Sequence, residues 1–422
     1  MAPNVSIGRA AVAAPPEGVA EPAGALTRRE MPGRGLWSLL LVAIGMVLAS
    51  ACSVADVKLT NTPIQSISGK AGSFDIIQID QQNHRLFVSD RTDQGIDVFD
   101  ISSSRPAFLQ TISVPSSPNG LAIAPDLGRL YAGTSKGSMV FVDIDPKSST
   151  VYTVLSEAPT GGKGADLQEY AAGKNLVFVA SGSDGAITSM DATTGEVKGT
   201  FKVGAALEQP RFNPTDGMVY VTSPELGAMF QVNPNNAMAG NKIPLTNCHQ
   251  PGGMAINPRS NQALIACSSS VISWDFRSGK SEVFDQVAGS DVVTYDAKID
   301  RFFVAAPRNK PASVVAMFGG NPTAYISKVV TSGGGNVAAY DETNDVVYTP
   351  DTRLSRAGLT SFQPPAPDQL STSVVWSLGV MAVIILAAGL LLFVVARSAD
   401  PIRRPQPAPA KVPSRQRSQA PH

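Results

Sequence analysis

Pro118-Asn119-Gly120-Leu121-Ala122-Ile123-Ala124-Pro125, followed after a short turn by Arg129-Leu130-Tyr131-Ala132, is the stretch that decides the fold. The first half is a short apolar run ended by proline. The second is an apolar and aromatic run too short for a helix. Such runs, bounded by turn residues, predict paired strands. The unit recurs, with its turn at Asp80, Pro125, Ala171, Pro214, Pro258, Asp296 and Asp341. That period of about 43 residues is the spacing of four-stranded propeller blades.

Working outward, second strands read Arg85–Val88, Arg129–Ala132, Leu176–Val179, Met218–Val221, Ala263–Ala266, Arg301–Val304 and Val346–Thr349. Third strands follow, as at Ile96–Phe99 and Met139–Val142, and fourth strands lie between units, as at Phe108–Val114, Val197–Val203 and Ser281–Val287. The last unit has no fourth strand after Phe362, whereas a spare strand, Pro63–Ser68, precedes the first unit. Pairing the spare strand into the last blade closes the ring and covers edges otherwise open to aggregation. The expected fold is therefore an all-β, seven-bladed propeller.

The pattern resembles the bacterial YVTN-type β-propeller family, a seven-bladed, lactonase-like architecture, across residues 63 to 363. The resemblance is carried by Pro118–Tyr131, by Pro251-Gly252-Gly253-Met254-Ala255-Ile256-Asn257-Pro258 and by the strand ending Met190-Asp191-Ala192-Thr193-Thr194-Gly195-Glu196-Val197. It implies an architecture, and some relatives of this shape are lactonases of the phosphogluconolactonase type. Trp274-Asp275 is a lone dipeptide and does not make WD40 repeats.

The flanks carry a different signal. Val374–Ala396 is uncharged and apolar, long enough at about 1.5 Å per residue to span a hydrocarbon core of about 30 Å. Arg397, Arg403, Arg404, Lys411, Arg415 and Arg417 follow it against the single acid Asp400, which by the positive-inside rule predicts a cytoplasmic tail and an outer propeller. Leu36–Ala51, behind Arg28, Arg29 and Arg34, has the form of a signal-peptide core. It ends Leu48-Ala49-Ser50-Ala51-Cys52, which resembles a lipobox and makes Cys52 the candidate lipidation site. Thr27–Met31 also resembles a twin-arginine signal, and Met31 is an alternative start. The expected organisation is an export signal over 1–51, a tether over 52–62, the propeller over 63–363 and a Pro-rich linker over 364–373. A transmembrane helix over 374–396 and a cytoplasmic tail over 397–422 complete it. Charged residues are 16% of the chain, low for a soluble domain. Formal neutrality hides 24 basic against 30 acidic residues between positions 52 and 396, which argues against nucleic acid as a partner.

Chemistry is sparse. The three histidines, His84, His249 and His422, do not supply a metal centre. Gly161-Gly162-Lys163-Gly164 lacks the Walker spacing and its Ser or Thr, and no nucleophile elbow is present. One constellation follows from the repeat register. Five residues before each turn stand Asp75, Gly120, Asp166, Gln209, Gly253, Asp291 and Asn336, with Glu208 and Asn119 one residue earlier. Seven-fold geometry gathers these at one channel mouth, with His249 on its rim. There they either hold a cation or polar ligand or bond neighbouring loops. Cys248 and Cys267 form an exported pair able to bridge. The expectation is a membrane-anchored extracytoplasmic binding module, without cofactor, metal or catalytic set, for a polar ligand or protein. The alternative is a lactonase-type hydrolase or a cofactor-binding propeller enzyme.

Overall fold

The computed structural model describes residues 57–64, 72–236, 239–331, 333–352, 357–365 and 383–394. Its repeat begins with a turn. Asp80 Oδ1 accepts hydrogen bonds from the backbone N–H groups of Gln82 and Asn83, both at 3.1 Å. Asn257, Asp296 and Asp341 repeat this on the N–H groups two and three residues ahead. Each of the seven hairpins then passes through one residue of positive φ immediately before its second strand: His84, Gly128, Asn175, Gly217, Asn261, Asp300 and Asp345. Asn, Asp and Gly tolerate that left-handed conformation best. The turn chemistry thus fixes where every second strand starts.

Seven four-stranded antiparallel sheets result. The first blade comprises Phe74–Asp80, Arg85–Asp90, Gly95–Asp100 and Ala107–Ser113. The innermost strands of the other six are Pro118–Ala124, Ala165–Ala171, Arg211–Asn213, Met254–Asn257, Val293–Asp296 and Ala339–Asp341. Second strands are sandwiched between neighbouring blades and buried on both faces, as Arg129–Thr134 shows. This is why they read as continuous apolar runs rather than alternating ones. Outer strands such as Val197–Lys202 are largely exposed. Tyr131, Tyr348, Phe87, Phe99, Phe141, Phe178, Phe302, Phe303 and Phe318 are fully buried in the layers between blades. Each such side chain stabilises the ring by about 1.5–3 kcal/mol relative to exposure.

The last blade is completed from the other end of the chain. Thr60–Pro63 pairs antiparallel with Gly358–Phe362, Thr60 opposite Ser361 and Pro63 opposite Gly358. The closing strand therefore lies earlier than the 63–68 segment expected, and residues 65–68 lie outside the described residues. The reason is burial: Ile64, favoured as a strand residue for its apolarity, leaves the sheet after one more bond to Ala357 O and enters the core. The half-exposed outer position is taken instead by the polar run Thr60-Asn61-Thr62.

The expected export segment, Cys52 and the cytoplasmic tail lie outside the described residues, as do both ends of the expected membrane span. Within that span, residues 383–394 are helical. No helix among the described residues is long and apolar enough to cross a membrane.

Candidate functional site

The inner strands bring Asp75, Asp166, Glu208 and Asp291 close enough to feel one another's charge. Asp75 is 6% exposed. Burial pushes its carboxyl up to about 6 against the pull of Arg91, with Asp166 and Asp291 adding to the rise. Burial, reinforced by Asp291 and Asp166, pushes Glu208 up to about 7. Asp166 and Asp291 are raised as well, first by burial, and are held back by Arg91 and Arg308 respectively. The mouth is thus one buried and three half-buried acids facing two guanidinium groups.

The partners are unequal. Asp75 receives Arg91 on one oxygen and the Asn336 amide on the other. Arg91 also donates to Asn119 Oδ1 at 3.1 Å, and Asn119 reaches Ala165 O of the third blade at 2.9 Å. Arg308 touches Asp291 at only 3.5 Å from an exposed position. Gln209, next to Glu208 in the chain, is buried, and its Oε1 has no hydrogen-bond partner among the described residues; neither has Asn336 Oδ1. Close approach of the blades explains the two glycines in the register. A Cβ on Gly120 would lie 2.3 Å from Asp166 O, and one on Gly253 would lie 2.7 Å from Asp291 O.

Of the residues expected at the mouth, the structure therefore gathers Asp75, Asp166, Glu208, Asp291 and Asn336, with Gln209 next to Glu208 in the chain. His249 is engaged with Ser268: its Nδ1 lies 2.9 Å from Ser268 Oγ, and its carbonyl accepts the Ser268 N–H at 2.8 Å. Cys248 and Cys267, one residue before each, are bonded, with Cα atoms 5.3 Å apart. His84 is one of the left-handed turn residues. Among the described residues, no group of three or more His, Cys, Asp or Glu is placed to hold a metal ion.

Arg91 and Arg308 escaped the sequence reading. They follow the second strands Arg85–Asp90 and Arg301–Ala306, so they reach the mouth from a hairpin that the first-strand register does not cover. A basic residue just past a second strand is the signal that could have found them. A second charged group lies further along the same inner strands. Arg211 donates to Glu169 at 3.0 Å and to Met254 O at 2.9 Å, tying the third, fourth and fifth blades together. Burial raises Glu169 and lowers Arg211, each offset by the other's charge.

Residues 85–212 match the family described as "Lactonase, 7-bladed beta-propeller". That stretch runs from the second strand of the first blade into the inner strand of the fourth, and carries Arg91, Asp166, Glu208 and Gln209. Among solved structures, the chain is similar to "Kuenenia stuttgartiensis Hydrazine Synthase" at 12% identity and a TM-score of 0.60, covering 74% of this chain and 99% of that one. At that identity the likeness is one of fold. No curated protein matches. Seven closed blades make this chain a seven-bladed β-propeller, similar over residues 85–212 to the lactonase propeller family.

Proposed function

We propose that the propeller is a binding module that takes a small organic cation, an amine or guanidine with several N–H donors, at the acidic mouth. One observation carries this reading: four acids, Asp75 buried and Asp166, Glu208 and Asp291 half-buried, share two guanidinium groups, leaving negative charge that a cation would neutralise. The unpartnered acceptors Gln209 Oε1 and Asn336 Oδ1 favour a ligand that donates hydrogen bonds. Titration calorimetry of the full-length chain with agmatine and spermidine is the test. Replacing Asp75, Asp166 and Asp291 together by Asn is expected to weaken binding about tenfold or more. Unchanged affinity in a folded triple variant would move the site to an outer loop face.

The family match favours a second reading, hydrolysis of a lactone. A carboxyl raised to about 7, as Glu208 is, suits a general base for an attacking water at neutral pH, and Arg91 could stabilise the oxyanion. In that case Glu208→Gln abolishes turnover while substrate still binds. Lack of lactone hydrolysis by the wild-type chain removes this reading and leaves the first intact.

The flanking segments support export and membrane attachment, with lipid on Cys52 and a span over 374–396. The wholly apolar, exposed helix at 383–394 is consistent with that span. Protease added to spheroplasts should cut the propeller and spare a tag after His422, and Cys52→Ser should abolish acyl labelling.

A further inference from the structure

Beside the acidic mouth, with which it shares Arg308, a cleft of about 630 Å³ opens where loops of the fifth and sixth blades meet. Its floor is a backbone relay. The Gly289 N–H donates to Ser268 O at 2.8 Å, and the Arg308 N–H donates to Gly289 O at 3.2 Å. Gly289 has φ +63°, and a Cβ there would lie 2.6 Å from the Arg308 carbonyl carbon, so glycine is what lets these loops meet. Asn309 adds a second tie, accepting from the Ala288 N–H at 3.3 Å and donating to Ala312 O at 2.9 Å. On the fifth-blade side, the Cys248–Cys267 bridge fixes the backbone next to His249 and Ser268. The floor is set without any ligand.

The walls reverse the acidic balance of residues 52–396. Arg308, Lys310 and Lys328 line the cleft against one acid, Asp285. Lys328 is steadied by Gln286 O at 2.7 Å and Arg308 by Ser290 O at 3.2 Å. Neither lysine belongs to any ion pair among the described residues. Gln286 also lines the cleft, and its buried Oε1 has no hydrogen-bond partner among the described residues. Two lysines without carboxylate partners call for an anion, and a buried amide oxygen without a donor calls for a hydroxyl.

We propose that this cleft binds a small hydroxylated anion, its carboxylate or phosphate held by Arg308, Lys310 and Lys328 and one hydroxyl donated to Gln286. The cleft shares Arg308 with the acidic mouth, so Lys310 and Lys328, which take no part in the mouth, carry its test. It is tested by titrating the full-length chain, at low salt, with glycerate and with glycerol phosphate. These share hydroxyls and differ in the anionic group, so their relative affinities identify which anion is taken. At least one should bind saturably, and Lys310→Met and Lys328→Met should each weaken it about tenfold. Propionate, which lacks hydroxyls, should bind more weakly by a similar factor. Thermal melting of each variant serves as the folding control, since both lysines lie on the surface side of intact strands and loops. No saturable binding of either anion, unchanged affinity in both lysine variants, or propionate binding as tightly as glycerate would overturn the assignment.

Discussion

Arg211 and Glu169 lie on the same inner strands as the mouth carboxylates, yet the two groups solve burial in opposite ways. The Arg211–Glu169 pair is matched charge for charge, and Arg211 spends its remaining donors on backbone carbonyls of its own and the next blade. The mouth has twice as many acids as arginines, and Asp291 is held only by an exposed Arg308 at 3.5 Å. Residue type is the same in both places. What differs is whether the neighbouring blades bring a donor to every acceptor. Where they do, the charges act as a rivet; where they do not, charge is left for something else to neutralise.

The largest effect should come from breaking the rivet. Arg211→Met leaves the half-buried Glu169 carboxylate without its countercharge, with only the Phe212 N–H at 3.2 Å to hold it, and is expected to cost about 3 kcal/mol of stability, read from urea midpoints. Loss below about 1 kcal/mol would mean that the two groups are not energetically different. Next comes the disulfide between Cys248 and Cys267, which closes a short loop in the fifth blade. The Cys248→Ser, Cys267→Ser double variant is expected to lose about 2–4 kcal/mol by chain entropy. It should leave the amine affinity of the mouth unchanged, because the bridge braces His249 and Ser268 rather than the acids.

At the mouth the sign reverses. Glu208 is raised to about 7, so the folded state holds its proton more tightly than the unfolded chain does. Its contribution to stability is full below about pH 4.5 and is lost as pH rises towards 7. Glu208→Gln should therefore raise the urea midpoint at pH 7.5, by about 1–2 kcal/mol in free energy, and flatten the pH dependence between these limits. A variant less stable than wild type at pH 7.5 would show that Glu208 is bonded structurally. Asp97, buried in the first blade and pushed up to about 7 by desolvation, contributes in the same direction, so the slope should shrink without vanishing. The smallest effect is expected at Arg308. Arg308→Gln should cost less than about 1 kcal/mol, because its pair with Asp291 is exposed and long.

The blades were legible in the sequence because each second strand is buried on both faces and each hairpin needs a particular turn chemistry. Asp80, Asn257, Asp296 and Asp341 accept from the turn they introduce, and the residue just before each second strand tolerates a left-handed backbone. Asp75, Asp166 and Asp291 were legible for the same reason, as equivalent positions in a closed ring. Arg91 and Arg308 were not, because they come from a different hairpin register and meet the acids only after the blades twist. His249 was placed on the mouth by its position before an inner strand. In the structure it sits beside the Cys248–Cys267 bridge and contacts Ser268, a partner that spacing cannot encode.

Among the described residues the ring is closed by four residue pairs and the Ile64–Ala357 bond, and their direction has a mechanical meaning. Thr60 faces Ser361 and Pro63 faces Gly358, so the chain before Thr60 and the chain after Phe362 leave from the same end of the seam. Tension between those two exits would load the hydrogen bonds one at a time, opening the seam as a zipper, rather than all together in shear. If both ends are fastened to a bilayer, their exit side by side keeps the load near zero. If either fastening is pulled away, the last blade is where the propeller gives first.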